Sequence, residues 1–222
     1  MSGSVSSRCS GGNSPLNRRP AIGYGAAVAA LVFFGWLARE VVLGRTLSFD
    51  LAVRDAIHTW AWRPLTFAMR AITEAGDPSF VALVAVIVVW RLGTRGQGRA
   101  AWLLGFAALG AVAISERLKL VFHRPRPAAF FGYHEPVSYS FPSGHAITAF
   151  CLYGVLAVIL EDRLPSVAGR RGLWAAAGLL IGLIGFSRVY LGVHYPTDVA
   201  GGYALGVVWT VAVLSASRHW KA

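Results

Sequence analysis

The feature that most constrains this chain is the recurrence of apolar runs close to twenty residues long. A bilayer core about 30 Å thick needs about 20 helical residues to cross it, because within hydrocarbon every backbone N–H and C=O must find a partner inside its own segment. Six runs approach that length, near 21–39, 78–93, 99–121, 144–161, 172–191 and 198–216. They predict an all-α polytopic membrane protein with six transmembrane helices. The second run is short and begins at Asp77-Pro78, a capping residue followed by proline at the first helical position. Residues 21–216 are expected to form one membrane domain. A disordered N-terminal tail, 1–20, rich in Ser, Gly and Arg, and a short C-terminal tail, 217–222, are expected to flank it. The run after Arg18-Arg19 is long enough to span, which argues against a cleaved signal.

The hydrophobic content of 55% suits this reading, but a net charge of +11 needs an explanation. The 21 Lys and Arg residues are scattered between apolar runs and form no long basic block with interleaved aromatics, so nucleic acid is not the expected partner. Membrane orientation and an anionic head group account for the charge instead. Arg8, Arg18 and Arg19, then Arg91, Arg95 and Arg99, then Arg163, Arg170 and Arg171, and finally Arg218 and Lys221 fall in alternate loops and the termini. The positive-inside bias therefore puts both termini in the cytoplasm, with a bacterial inner (plasma) membrane as the expected location. Cys9 and Cys151 offer neither metal spacing nor a disulfide partnership.

Between the first two runs, FDLAVRDAIHTWAWRPLTFAMRAITEAG carries Val53, Ile57 and Trp60 at helical spacing with Arg54, Asp55 and His58 between them. The pattern fits an amphipathic helix lying on the membrane surface, and Pro64, which interrupts it, fits a folded loop packed on the bundle. Trp60 and Trp62 suit the interface in either case.

Four polar residues stand where apolar ones would be expected. Lys119 ends the third run, His145 opens the fourth, Arg188 lies near the end of the fifth and Asp198 opens the sixth. A single Lys or Arg at a helix end snorkels to head groups without further purpose. Four such residues on the same, non-cytoplasmic side point to a site. KLVFHRPRP brings Lys119, Arg126 and Arg124 toward the start of the fourth span, YSFPSGHA. If Ser143 caps that helix, the following N–H groups and the helix dipole make an anion cradle, and Gly144 lets a ligand approach the backbone. In SRVYLGVHYPTD, a histidine stands four residues before a carboxylate, so Asp198 can fix the tautomer of His194 and leave its other nitrogen free as nucleophile or base. His145, when charged, can protonate a leaving oxygen. Lys119, Arg126 and Arg188 are of the type that stabilises the dispersed charge of a transferring phosphoryl group. Zinc held by the histidines and Asp198 is the rival, but the clustered cations oppose a divalent ion, so no metal and no other cofactor is expected.

Lys119-x6-Arg126-Pro127, Pro142-Ser143-Gly144-His145 and Ser187-Arg188-x5-His194-x3-Asp198 resemble, in order, the three signature motifs of the type-2 phosphatidic acid phosphatase superfamily, with no departure. The resemblance implies a membrane lipid phosphate or pyrophosphate phosphatase that works through a phosphohistidine. It implies His194 as nucleophile, His145 as general acid and Asp198 as the orienting acid. Lys119, Arg126, Ser143, Gly144 and Arg188 would hold the phosphate, and the substrate would arrive laterally from the bilayer on the extracytoplasmic side. A phosphotransferase with the same intermediate and a non-catalytic lipid-binding protein are the alternatives. His123 and His134 lie outside the motifs and are read as loop residues.

Overall fold

In the computed structural model, which describes residues 15–134 and 137–219, the apolar runs become helices, most of them longer than the runs themselves. Among the described residues there are eight: α1 (Pro15–Val42), α2 (Leu47–His58), α3 (Arg63–Glu74), α4 (Pro78–Thr94), α5 (Gly98–Phe122), α6 (Gly144–Glu161), α7 (Val167–Tyr190) and α8 (Pro196–His219). No strand occurs among these residues. Stretches within α1, α5, α6, α7 and α8 are each long and apolar enough to cross a membrane. α4 passes the same test only together with α3, from which it is bent by 50°, making the sixth candidate. The tails expected at 1–20 and 217–222 lie partly outside the described residues; within them, α1 already runs from Pro15 and α8 continues to His219.

Local chemistry sets the boundaries. Asp77 caps α4 as its sequence implies, its carboxylate accepting from the Ser79 N–H at 2.8 Å and the Phe80 N–H at 3.4 Å. Pro64 opens α3 and does not break a longer helix, since in the first turn its missing N–H has no intrahelical acceptor to lose. The mixed segment is therefore two helices joined by a short link that leaves Trp60 and Trp62 exposed. On α2 the buried residues are Asp50 and Arg54, while Leu47, Phe49 and Leu51 are exposed. A simple amphipathic reading would have turned the helix the other way. Its charged face points into the protein because its partners there are charged, as described below.

α6 is the central helix, packed by α5, α7 and α8, with Ile147, Leu152 and Val155 completely buried. The α6–α8 contact depends on small residues on α8, the usual solution where no hydrophobic force drives apolar helices together in lipid. A Cβ on Gly202 would stand 2.7 Å from the Ser143 carbonyl oxygen, and one on Gly206 would stand 2.8 Å from Phe150 Cβ. Around this core, α4 and α5 expose Leu83, Val86, Trp90, Leu109 and Leu120, an apolar surface suited to hydrocarbon. The topology of α5 to α8 brings the C-terminus of α5, the N-terminus of α6, the C-terminus of α7 and the N-terminus of α8 to one end of the bundle.

Candidate active site

Lys119, in the last turn of α5, is 7% exposed and reaches Glu116 Oε1 at 2.7 Å. It faces the first turn of α6: a Cβ placed on Gly144 would lie 3.5 Å from Lys119 Nζ and 3.2 Å from Ser115 Oγ. Glycine therefore keeps open the space between the two helices at the point where an anion would meet the α6 N–H groups.

Ser143 occupies the N-cap position of α6 but its side chain makes no capping bond, which departs from the expected role. Its backbone does the anchoring: the Ser143 N–H donates to the Asp198 carbonyl oxygen at 3.0 Å. The Ser143 hydroxyl is fully buried and, like that of Ser115, has no hydrogen-bond partner. A buried polar group left unpaired costs about 1–3 kcal/mol, which a ligand oxygen placed there would relieve.

The loop after α7 carries His194 back over that helix. The Val193 and His194 N–H groups both donate to the Arg188 carbonyl oxygen, at 3.1 and 3.3 Å. This reversal requires Gly192, whose φ of +77 is left-handed and whose missing side chain makes room for Phe130; a Cβ there would stand 2.8 Å from the Phe130 backbone nitrogen. Arg188 itself is fully buried, with Nη1 donating to Thr73 Oγ1 at 2.6 Å and its guanidinium above the Tyr133 ring.

His194 is held from both sides. Its Nδ1 lies 3.3 Å from Asp198 Oδ2, and its Nε2 lies 3.1 Å from Arg126 Nη1. A guanidinium can only donate, so Nε2 is the acceptor and the ring proton belongs on Nδ1, toward the carboxylate. Arg126 is fixed by Ser138 and by the Val193 carbonyl oxygen. Burial pulls its guanidinium below the usual range, and the charge of Asp198 offsets part of that effect.

Asp198 accepts from three further directions. The Tyr195 N–H donates to it at 2.8 Å and Arg124 Nη1 at 2.6 Å, and the Ser140 hydroxyl also donates to Oδ2. Arg124 thus serves the start of α8, whereas the sequence suggested the start of α6. Its other nitrogen, Nη2, reaches Asp50 Oδ2 at 2.7 Å. Burial works against the Arg124 charge, but Asp198 and Asp50 outweigh it and hold the guanidinium above its ordinary range. Asp50, Ser115, Ser138, Ser140 and Thr73 were not singled out in the sequence. Each is an ordinary polar residue outside any spacing pattern, and only folding brings it here. His145, 9% exposed in the first turn of α6, lies beside the break between α3 and α4; a Cβ on Gly76 would stand 3.3 Å from its ring. His123, in contrast, ends α5 in a left-handed conformation, and His134 is exposed.

Burial lowers the His194 imidazole to about 3; the hydrogen bond to Asp198 offsets part of this, and the Arg126 charge adds to it. The folded value lies below the unfolded one of about 6.5, so the neutral ring stabilises the fold fully above about 6.5, and that contribution is lost as pH falls toward about 3. The ring 15N shifts of His194 should therefore show a neutral Nδ1–H tautomer from about pH 8 to about pH 5. A titration midpoint near 6.5 in the folded protein would contradict this.

The fold and this site define a class: an all-helical integral membrane phosphatase acting on lipid phosphates, with its polar centre at one end of the bundle. The family model described as the PAP2 superfamily matches residues 100–221, and the chain belongs to that superfamily. Phosphatidylglycerophosphatase B of Bacillus subtilis is 35% identical over 189 residues, 82% of this chain and 89% of that protein. An undecaprenyl-diphosphatase of Sulfolobus acidocaldarius is 32% identical over 101 residues, 43% of this chain and 45% of that protein. The crystal structure of a transmembrane PAP2-type phosphatidylglycerolphosphate phosphatase from Bacillus subtilis superposes with a TM-score of 0.80 at 31% identity, covering 88% of this chain and 97% of that one.

Proposed function

We propose that this membrane phosphatase hydrolyses a lipid phosphate monoester or pyrophosphate through a phosphohistidine on His194, without a metal. One observation supports the reading: Nε2 of His194 is the unprotonated nitrogen and accepts from Arg126, with Nδ1 on Asp198, beside an anion cradle of Lys119, Arg126, Ser143 and Gly144. The Nε2 lone pair forms an N–P bond as the P–O bond to the lipid breaks, and the proton of charged His145 passes to the leaving oxygen. Neutral His145 then takes a proton from a water that attacks phosphorus. The N–P bond breaks, phosphate leaves, and both histidines return to their starting states. Lys119, Arg126 and Arg188 stabilise the equatorial oxygens throughout. The abundance of cations near His194 and Asp198 gives the phosphoryl group the charge that a divalent ion would otherwise supply. Among the described residues, no three His, Cys, Asp or Glu side chains gather as a metal site would need.

The named relatives favour phosphatidylglycerol phosphate and an undecaprenyl pyrophosphate as substrates; phosphatidic acid and a lipid A phosphate share the same reacting group. The test is phosphate release by the detergent-purified protein from these four lipids. Release from at least one should persist in a chelator, at an unchanged rate. Strict dependence on added magnesium would overturn the metal-free reaction, and transfer of phosphate to another alcohol with little free phosphate would make the protein a transferase.

The basic loops support an orientation with both termini cytoplasmic and the site facing outward, in a bacterial inner membrane. A cysteine at exposed position 137 (Val137→Cys, with Cys9→Ala) should react with an impermeant maleimide on intact spheroplasts. Labelling only after permeabilisation would reverse the topology.

A further inference from the structure

Asp50 lies on α2, outside the residues matched by the family model and outside the three motifs. It is completely buried. A carboxylate in such a place is costly unless its oxygens are filled, and here both are. Oδ1 accepts from the Thr197 N–H at 3.1 Å; Oδ2 accepts from Thr197 Oγ1 and from Arg124 Nη2, both at 2.7 Å. Arg124 in turn donates through Nη1 to Asp198 Oδ1 at 2.6 Å and to Thr197 Oγ1 at 2.9 Å, and lies over the Tyr195 ring. The chain Asp50, Arg124, Asp198, His194 is thus continuous, and it joins α2, the helix that follows the first span, to the imidazole.

We propose that Asp50 is a positioning residue for hydrolysis, acting through Arg124 to aim Asp198 at His194 and to keep the negative charge of Asp198 available to the ring. The inference rests on His194 being the nucleophile. When Nε2 takes up phosphorus, the ring becomes an imidazolium whose Nδ1–H faces Asp198. A guanidinium bound directly to Asp198 would by itself cancel the charge that must stabilise this cation. Asp50 answers it: two carboxylates against one guanidinium leave one negative charge on the group, and Asp198 is the member that touches the ring. The same contacts fix the first turn of α8, since Thr197 bonds Asp50 and the next residue is Asp198.

The test compares wild type, Asp50→Asn, Arg124→Gln and the double variant, with phosphatidic acid in detergent micelles and p-nitrophenyl phosphate as substrates and rates normalised to folded protein. Asp50→Asn should lower kcat about 10- to 100-fold with KM within about twofold, the range of coupling between groups in one buried network. Adding Arg124→Gln to Asp50→Asn should restore kcat at least about threefold, because it removes the positive charge left uncompensated. A purely structural role would lower the melting temperature of the double variant below that of either single one without changing kcat per folded molecule in any of them; that result, or no recovery of kcat, overturns the proposal. Should Asp50→Asn fail to fold, Arg124→Lys asks the same question, since it keeps the charge but loses the two-armed bridge, and an unchanged kcat there overturns the proposal. Capture of 32P on the wild-type protein as an acid-labile, base-stable adduct tests the reading beneath it. Its absence removes both, whereas an adduct present with unchanged Asp50→Asn kinetics removes the inference alone.

Discussion

Replacing His194 by alanine should reduce phosphate release from lipid by at least about 10³-fold, with losses up to about 10⁶-fold on record for a removed nucleophile. The expectation follows from the covalent step. Without Nε2, water must attack the phosphate directly, and the arginines and Lys119 can still bind the group without lowering that barrier by the same route. The protein should fold, because Asp198 keeps its bonds from Arg124, Tyr195 and Ser140 when the imidazole is gone. Substrate should therefore still bind, and no 32P should remain on the denatured variant. Retention of more than a tenth of the wild-type rate would mean that another group carries the phosphoryl transfer.

The second large effect is expected at His145. His145→Gln removes a proton donor while preserving hydrogen-bonding capacity, and the loss of a general acid costs about 10²–10⁴-fold. The cost should depend on the leaving group. A lipid alkoxide needs the proton, whereas p-nitrophenolate leaves without one, so the variant's kcat/KM, which reports the steps through phosphorylation and not the shared hydrolysis of the adduct, should fall far more on phosphatidic acid than on p-nitrophenyl phosphate. Equal losses on both would show that His145 binds the phosphate and does not protonate the leaving oxygen. The position suits the assignment: the residue is one step inside α6, held against Gly76 at the bend between α3 and α4.

The spans were legible because the bilayer imposes length and polarity together, and the motif residues were legible because their spacing places them at helix ends. Asp77 could be read as a cap for the same reason, since capping depends on nearest neighbours. The sequence was less informative about contacts between distant segments. Asp50 and Arg124 are 74 residues apart, and nothing local distinguishes Asp50 from the exposed Asp55. The orientation of α2 was hidden likewise, because its charged face is buried by partners on other elements. Pro64 carried two meanings, breaker or opener, and only the neighbouring turn decides between them. Ser143 stands where a cap should, but the backbone of α8 has taken the anchoring task and left the hydroxyl to the site.

The shortness of α4 has a consequence for the surrounding lipid. Its 17 residues rise only ~26 Å, less than the ~30 Å of an average hydrocarbon core, and its partner α3 turns away by 50° instead of extending it. A span this short is accommodated by local thinning of the bilayer or by flanking side chains that reach to the interface, whereas α5 and α7 are long enough to cross unaided. That flank is the one that holds Thr73 and Gly76, next to Arg188 and His145. The site thus adjoins the flank on which the span is shorter than the hydrocarbon core it must cross.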